Sequence, residues 1–152
     1  MISQRLTQLG ITLPQPATPL YHYVPVVVHQ GVAYVRGQVP RVDGEVPYTG
    51  QVGGAVSLEQ AQELAEICVL KALSAVEAEI GSLNKITRVL KVTGFVQASP
   101  TFSAPSLVLD SASELLTKIF GEAGRHARTA VGVAQLPSDT PVEIDFMFAV
   151  EV

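Results

Sequence analysis

From Val142 to Val150 apolar and polar residues alternate without a break. Val142, Ile144, Phe146, Phe148 and Val150 take one face, and Glu143, Asp145, Met147, Ala149 and the following Glu151 take the other. A period of two is the signature of a strand with one buried side. "ITRVLKVTGFVQA" (86–98) and the stretch from Arg128 to Leu136 also read as strands, while "YVPVVVHQGVAYVRGQVP" (23–40) reads as two strands around a Gln30-Gly31 turn. A short extended piece at Val46 to Gln51 is a candidate further strand. Helical spacing appears twice. Ser57, with Gln60 at the capping-box position, opens a run in which Ala61, Leu64, Ala65, Cys68, Ala72, Ala75 and Val76 form a stripe of mainly small side chains ending near Gly81. Val108, Ala112, Leu115, Leu116 and Ile119 repeat the helical period before Gly121 and Gly124 stop it.

The resulting order, ββ(β)αβαββ, predicts an α+β fold, a mixed sheet with two helices on one face. Residues 1–20 combine a short amphipathic start (Ile2, Leu6, Leu9) with the proline-rich "LPQPATP" and read as an N-terminal arm leading into a single domain over 21–152.

Composition adds an expectation about assembly. The chain is 47% hydrophobic and 16% charged, with a mean hydropathy of +0.32, which leaves apolar surface that a second copy could cover. A homo-oligomer is expected. A net charge of −4 argues against a general nucleic-acid binder, which needs an excess of Lys and Arg to displace counterions from phosphates. No apolar stretch reaches the ~18–20 residues of a membrane span, and "MISQRLTQLG" lacks the apolar core of a signal peptide, so a soluble, cytoplasmic protein is expected.

Most familiar catalytic patterns do not fit. "TGQVGG" (49–54) lacks the lysine of a phosphate-binding loop and the spacing of a dinucleotide fingerprint. His22, His29 and His126 have no metal-ligand spacing, so no metal and no cofactor are expected. No serine stands in a nucleophile elbow or beside an evident base. The single cysteine, Cys68, sits among apolar residues and reads as core.

Two charged residues remain in strands that otherwise read as buried. Arg128 shares its strand face with Ala130, Gly132 and Ala134, residues too small to fill the space around a guanidinium, which suggests a cavity with an anion clamp for a carboxylate or phosphate. The alternative is a strand-edge arginine reaching solvent or a neighbouring copy. Glu143 is the natural second group, able to hold or activate a water if burial tunes its pKa; otherwise it is a solvated carboxylate on an exposed sheet face. The "PSDT" link (137–140) is short enough to make the two strands run in opposite directions. Six residues of rise then separate the side chains by roughly 20 Å in one chain. A shared ligand would therefore lie between subunits. Arg125 and His126 read as the solvated approach to the strand.

"RGQVP" (36–40), "GE" (44–45), "HARTAV" (126–131), "LP" (136–137) and "VEI" (142–144), in this order around a helix–strand–helix centre, resemble the RidA or YjgF-like (Rid, endoribonuclease L-PSP-like) family over about residues 20–152. The arm and "FGEAGRHAR" (120–128) resemble a longer branch of it. The resemblance implies a chorismate-mutase-like fold and a homotrimer with three intersubunit clefts. It further implies an enamine or imine deaminase, a hydrolase of C=N bonds that turns 2-imino acids such as the 2-aminoacrylate type into 2-oxo acids and ammonia. In those enzymes the arginine matching Arg128 holds the substrate carboxylate, the glutamate matching Glu143 orients the water, and the tyrosine matching Tyr23 lines the pocket. Arg36, Gly37, Asp110 and Ala130 fall at further substrate-binding positions. Three of these depart from the family pattern: Arg36 replaces a small hydroxyl residue, Ala130 a cysteine and Asp110 an asparagine. The other readings are a trimeric carboxylate-binding regulatory protein without catalysis and an endoribonuclease, a role attached to some members.

Overall fold

A computed structural model of the chain describes residues 1–17 and 22–151. The elements run α1 (Ile2–Gln8), β1 (Val26–His29), β2 (Val32–Gln38), α2 (Leu58–Ile80), β3 (Ile86–Gln97), α3 (Pro105–Phe120), β4 (Ala127–Val133) and β5 (Val142–Val150). The five strands form one mixed sheet in the order β1-β2-β5-β3-β4, in which β3 and β4 are parallel and every other pair is antiparallel. The expected α+β architecture is present, with α2 and α3 on one face. The expected junction between arm and domain, at residues 20–21, lies outside the described residues.

Local chemistry accounts for these boundaries. At the β1–β2 turn Gln30 and Gly31 both have positive φ (49° and 78°), the geometry that matches a two-residue hairpin to strand twist. Ser57 accepts from the Gln60 N–H and Gln60 reaches back to the Ser57 N–H, a complete capping box that starts α2. Gly81 closes it with a left-handed residue at φ 89°. The candidate strand at Val46 to Gln51 does not form. Pro47 lacks a ladder donor, and the segment is instead tied down by Gly50, whose N–H bonds to the Asp139 carbonyl and whose carbonyl accepts from Gln97 Nε2. β4 stops at Val133, short of Leu136, because the Leu136 N–H is taken by the Gln97 side chain (2.8 Å).

The apolar face of β5 is buried throughout, with Phe146 and Phe148 stacked at 5.9 Å. Small side chains on α2, Ala61, Ala65, Cys68 and Ala72, are fully buried against the sheet. On β3, Gly94 lies directly beneath Leu109 of α3, where a Cβ would meet the leucine side chain at 2.5 Å. Burial of the Cys68 thiol pushes its pKa far up, and its Sγ–H donates to the Gln38 carbonyl at 3.3 Å. Cys68 is a core residue.

Among the described residues no helix packs on the opposite face of the sheet. Val27, Tyr34 and Val131 are exposed there, alongside half-buried Phe95, Met147, Glu143 and Asp145. The arm is fastened at both ends of its path. Arg5 Nε donates to the Lys118 carbonyl of α3 (2.9 Å), and the Ser74 hydroxyl of α2 donates to the Pro14 carbonyl (2.6 Å).

Candidate functional site

The site forms where β2 departs from regular pairing with β5. Val35 lies opposite Phe146 and Gln38 opposite Ile144, so β2 carries one extra residue at Arg36-Gly37. Such a bulge redirects side chains locally. Beyond Val26, the first residue of β1, the Arg36 N–H donates to the Pro25 carbonyl. The Arg36 side chain shares a cavity wall with Lys71 of α2, and its guanidinium stacks on Tyr23 at 5.3 Å from the ring centroid.

Gly37 has a steric role. A Cβ on it would collide with the carboxylate of Glu143, so the glycine provides the seat on which that carboxylate rests. Tyr23, Arg36, Gly37 and Glu143, together with Arg41 and Lys71, line one cavity of about 320 Å³. Burial raises the Glu143 pKa above the ordinary carboxylate range and the Asp145 charge raises it further, while the guanidinium groups of Arg41 and Arg36 pull it back. This half-buried carboxylate is flanked by cations without a direct ion pair to them. It is able to accept a proton from a bound water.

Arg128 lies elsewhere in the same chain. Its strand position pairs with Val92, and Glu143 pairs with Phe95, so the two are three residues apart along β3 and two strands apart across it, or roughly 14 Å. The expected separation of six residues is thus too large. Their side chains leave opposite faces of the sheet, because Val92 is buried beneath the helices and Phe95 is on the uncovered side. One chain does not bring them together.

Of the small residues beside Arg128, Ala130 packs against the core, while Gly132 and Ala134 are exposed. A Cβ on Gly132 would touch Ala98 and Pro105, and Ala130 is partly buried beside Gly94, beneath α3. Arg128 Nη1 donates to Asp110 Oδ1 and to the Ser113 hydroxyl, both at 3.0 Å, and Asp110 makes a direct ion pair with it. Of the sequence-predicted residues, Tyr23, Arg36, Gly37 and Glu143 converge in one place, and Arg128, Asp110 and Ala130 in another.

Sequence reasoning missed four contributors. His126 is no mere approach to the strand. Its Nδ1 is 2.6 Å from the Gly124 carbonyl, to which it must donate, leaving Nε2 to accept from the Ser113 hydroxyl at 2.9 Å. Ser113 in turn accepts from Arg128, so the three hold one orientation of the guanidinium. Arg41 and Lys71 were also missed; the signal for Lys71 was its being the one cation in the 23 residues of α2.

Among the described residues no group of three His, Cys, Asp or Glu side chains could hold a metal ion. No described helix is long and apolar enough to cross a membrane. Comparison with known proteins places this geometry in context. The chain is 41% identical over 145 residues to protein TCP17 of Trypanosoma cruzi, covering 95% of this chain and 91% of that one. It is 43% identical to the Agrobacterium tumefaciens protein Atu1372, a solved structure of unknown function, with a TM-score of 0.90 and coverage of 99% and 94%. The YjgF gene product of E. coli shares 28% identity with a TM-score of 0.62, over 91% of this chain and 94% of that one. The family described as "YjgF/chorismate mutase-like, putative endoribonuclease" matches residues 3–150. The chain therefore belongs to the YjgF/chorismate-mutase-like (RidA/L-PSP) family.

Proposed function

We propose that this protein is an imine deaminase that hydrolyses short-lived 2-imino acids at a site shared between subunits. The observation that carries the reading is the Glu143 carboxylate, seated on Gly37 in a cavity with Tyr23 and flanked by cations, its pKa raised by burial. In this reaction water adds to the C=N carbon while Glu143 takes one of its protons. The carbinolamine then collapses: the proton held by Glu143 and the hydroxyl proton both pass to the nitrogen, the C–N bond breaks as ammonia leaves, and a 2-oxo acid remains. One water is consumed and no covalent enzyme intermediate is required. Catalysis comes from positioning the water and balancing charge.

Assembly completes the site in this reading. Three copies associate through the uncovered sheet faces, and Arg128 of a neighbouring copy approaches the Glu143 cavity. The separation and opposite facing of the two residues within one chain, and the exposed Val27, Tyr34 and Val131, support this arrangement.

The test generates imines in situ with an amino-acid oxidase and follows 2-oxo acid release against the spontaneous rate. The wild type is expected to accelerate release, and Glu143→Gln to lose at least about 100-fold of that acceleration. Wild-type release no faster than the spontaneous rate overturns the reading. Binding of carboxylates without turnover would identify a regulatory protein instead, and cleavage of RNA unaffected by Glu143→Gln a ribonuclease.

A further inference from the structure

Charge is unevenly distributed between the two halves of the proposed site. Arg128 is matched by Asp110 in a direct ion pair. Around Glu143 three cations, Arg36, Arg41 and Lys71, line the same cavity, and among the described residues none of the three makes a direct ion pair. Arg41 donates to the Ser138 hydroxyl (2.6 Å) and Lys71 to the Arg41 carbonyl (3.4 Å), both uncharged partners. The buried Nε of Arg36 has no hydrogen-bond partner among the described residues. A buried donor left in this state is costly unless a ligand satisfies it.

The surroundings keep these charges strong and close. Burial lowers the Lys71 pKa and the Arg41 and Arg36 charges lower it further, a sign of cations crowded together. Tyr23 supports one face of the Arg36 guanidinium, which leaves its edge free to take a carboxylate through parallel N–H bonds. Arg36 and Lys71 also line a second, adjoining space of about 240 Å³, walled by Pro16 and Ala17 of the arm and Ala75 of α2, with Glu79 at its margin. That space is mostly apolar and suits a short carbon chain.

We infer that Arg36, assisted by Arg41 and Lys71, is an anion subsite that fits the ligand's second acidic group, making the preferred substrate a 2-imino acid with two carboxylates. The inference deepens the deaminase reading and rests on it for the word substrate. Among the described residues Glu143 is the one acid lining the cavity with these three cations, so an incoming carboxylate reduces an excess. A ligand whose single carboxylate is held by the neighbouring copy's Arg128 leaves Arg36 without an anion, whereas Arg128 always keeps Asp110.

Two measurements separate this inference from the reading beneath it. In the oxidase-coupled assay, kcat/KM for imines made from aspartate or glutamate is expected to exceed that for the alanine imine at least tenfold. Arg36→Ser is expected to reduce that ratio at least tenfold, and Lys71→Gln to reduce it in the same direction. Equal or reversed preference in the wild type, or an unchanged ratio in Arg36→Ser, overturns the subsite. The second measurement needs no turnover: succinate or glutarate should raise the melting temperature of the wild type more than propionate or butyrate does. The difference should vanish in Arg36→Ser, whose ligand-free melt serves as the folding control. Should the wild type show this difference and yet hydrolyse no imine, the subsite stands and the deaminase reading falls; absence of the difference removes the subsite.

Discussion

Glu143 shows how much a single side chain can be shaped by what surrounds it. Its carboxyl is more readily protonated in the folded protein than in the unfolded chain, chiefly through burial and then through Asp145, whose own pKa burial also raises. A raised carboxyl pKa means that the folded state holds the proton more tightly, so the stabilisation it brings is present at low pH and is lost as pH rises through the folded value. At neutral pH the ionised Glu143 is thus a burden on stability and a requirement for proton abstraction. Two outcomes follow. Deaminase turnover should fall with decreasing pH around a midpoint above the ordinary glutamate value, measured as a kcat/KM profile. In calorimetry at pH 7, Glu143→Gln should melt at the same temperature as the wild type or higher. A lower melting temperature would show that the ionised carboxylate holds the fold together.

At the scale of elements, periodicity made the helices and strands legible because one face of each is continuously apolar. The alternation of β5, the capping box of α2 and the Gln30-Gly31 turn were all readable because each depends on residues within a few positions of one another. The bulge at Arg36-Gly37 was not, since it exists only against the partner strand β5. Arg128 illustrates the same limit. Its row of small neighbours was placed on one face, yet what such a row faces depends on what packs over it: Ala130 meets the core, while Gly132 and Ala134 stay exposed. Tyr23, Arg36 and Gly37 were named through family resemblance, whereas Lys71 and Arg41 belong to the site only because the chain folds α2 and the loop after β2 around it. The close approach of α3 gives a direct check. Gly94→Ala forces Leu109 outward and is expected to cost about 1–3 kcal/mol in urea unfolding, with little change in m.

For the whole molecule, the distinction between the two sheet faces is the main organising fact. One carries the core; the other presents Val27, Tyr34 and Val131 beside acidic and hydroxyl side chains, with Lys91 bonded to Thr129 at 2.9 Å. Under the proposed assembly a charge at Val131 would be buried against another copy. Val131→Glu is expected to shift the particle in analytical ultracentrifugation from about three times the 16.1 kDa chain mass toward one, at micromolar concentration, and to abolish deaminase turnover with it. A monomeric wild type, or a fully active monomeric variant, would exclude a site built between subunits. The extra residue in β2 also ranks the chain by its tolerance of length change. At Asp43-Gly44, an exposed tip with both residues at positive φ, an added residue has room to loop out. Removing Gly37 would restore even pairing with β5, with Gln38 still opposite Ile144, but it would erase the bulge that redirects Arg36 and leave the Glu143 carboxylate without its seat. Natural insertions and deletions in this protein should therefore collect at the exposed 41–45 tip and avoid β2 before it and the buried Val52 and Val56 after it.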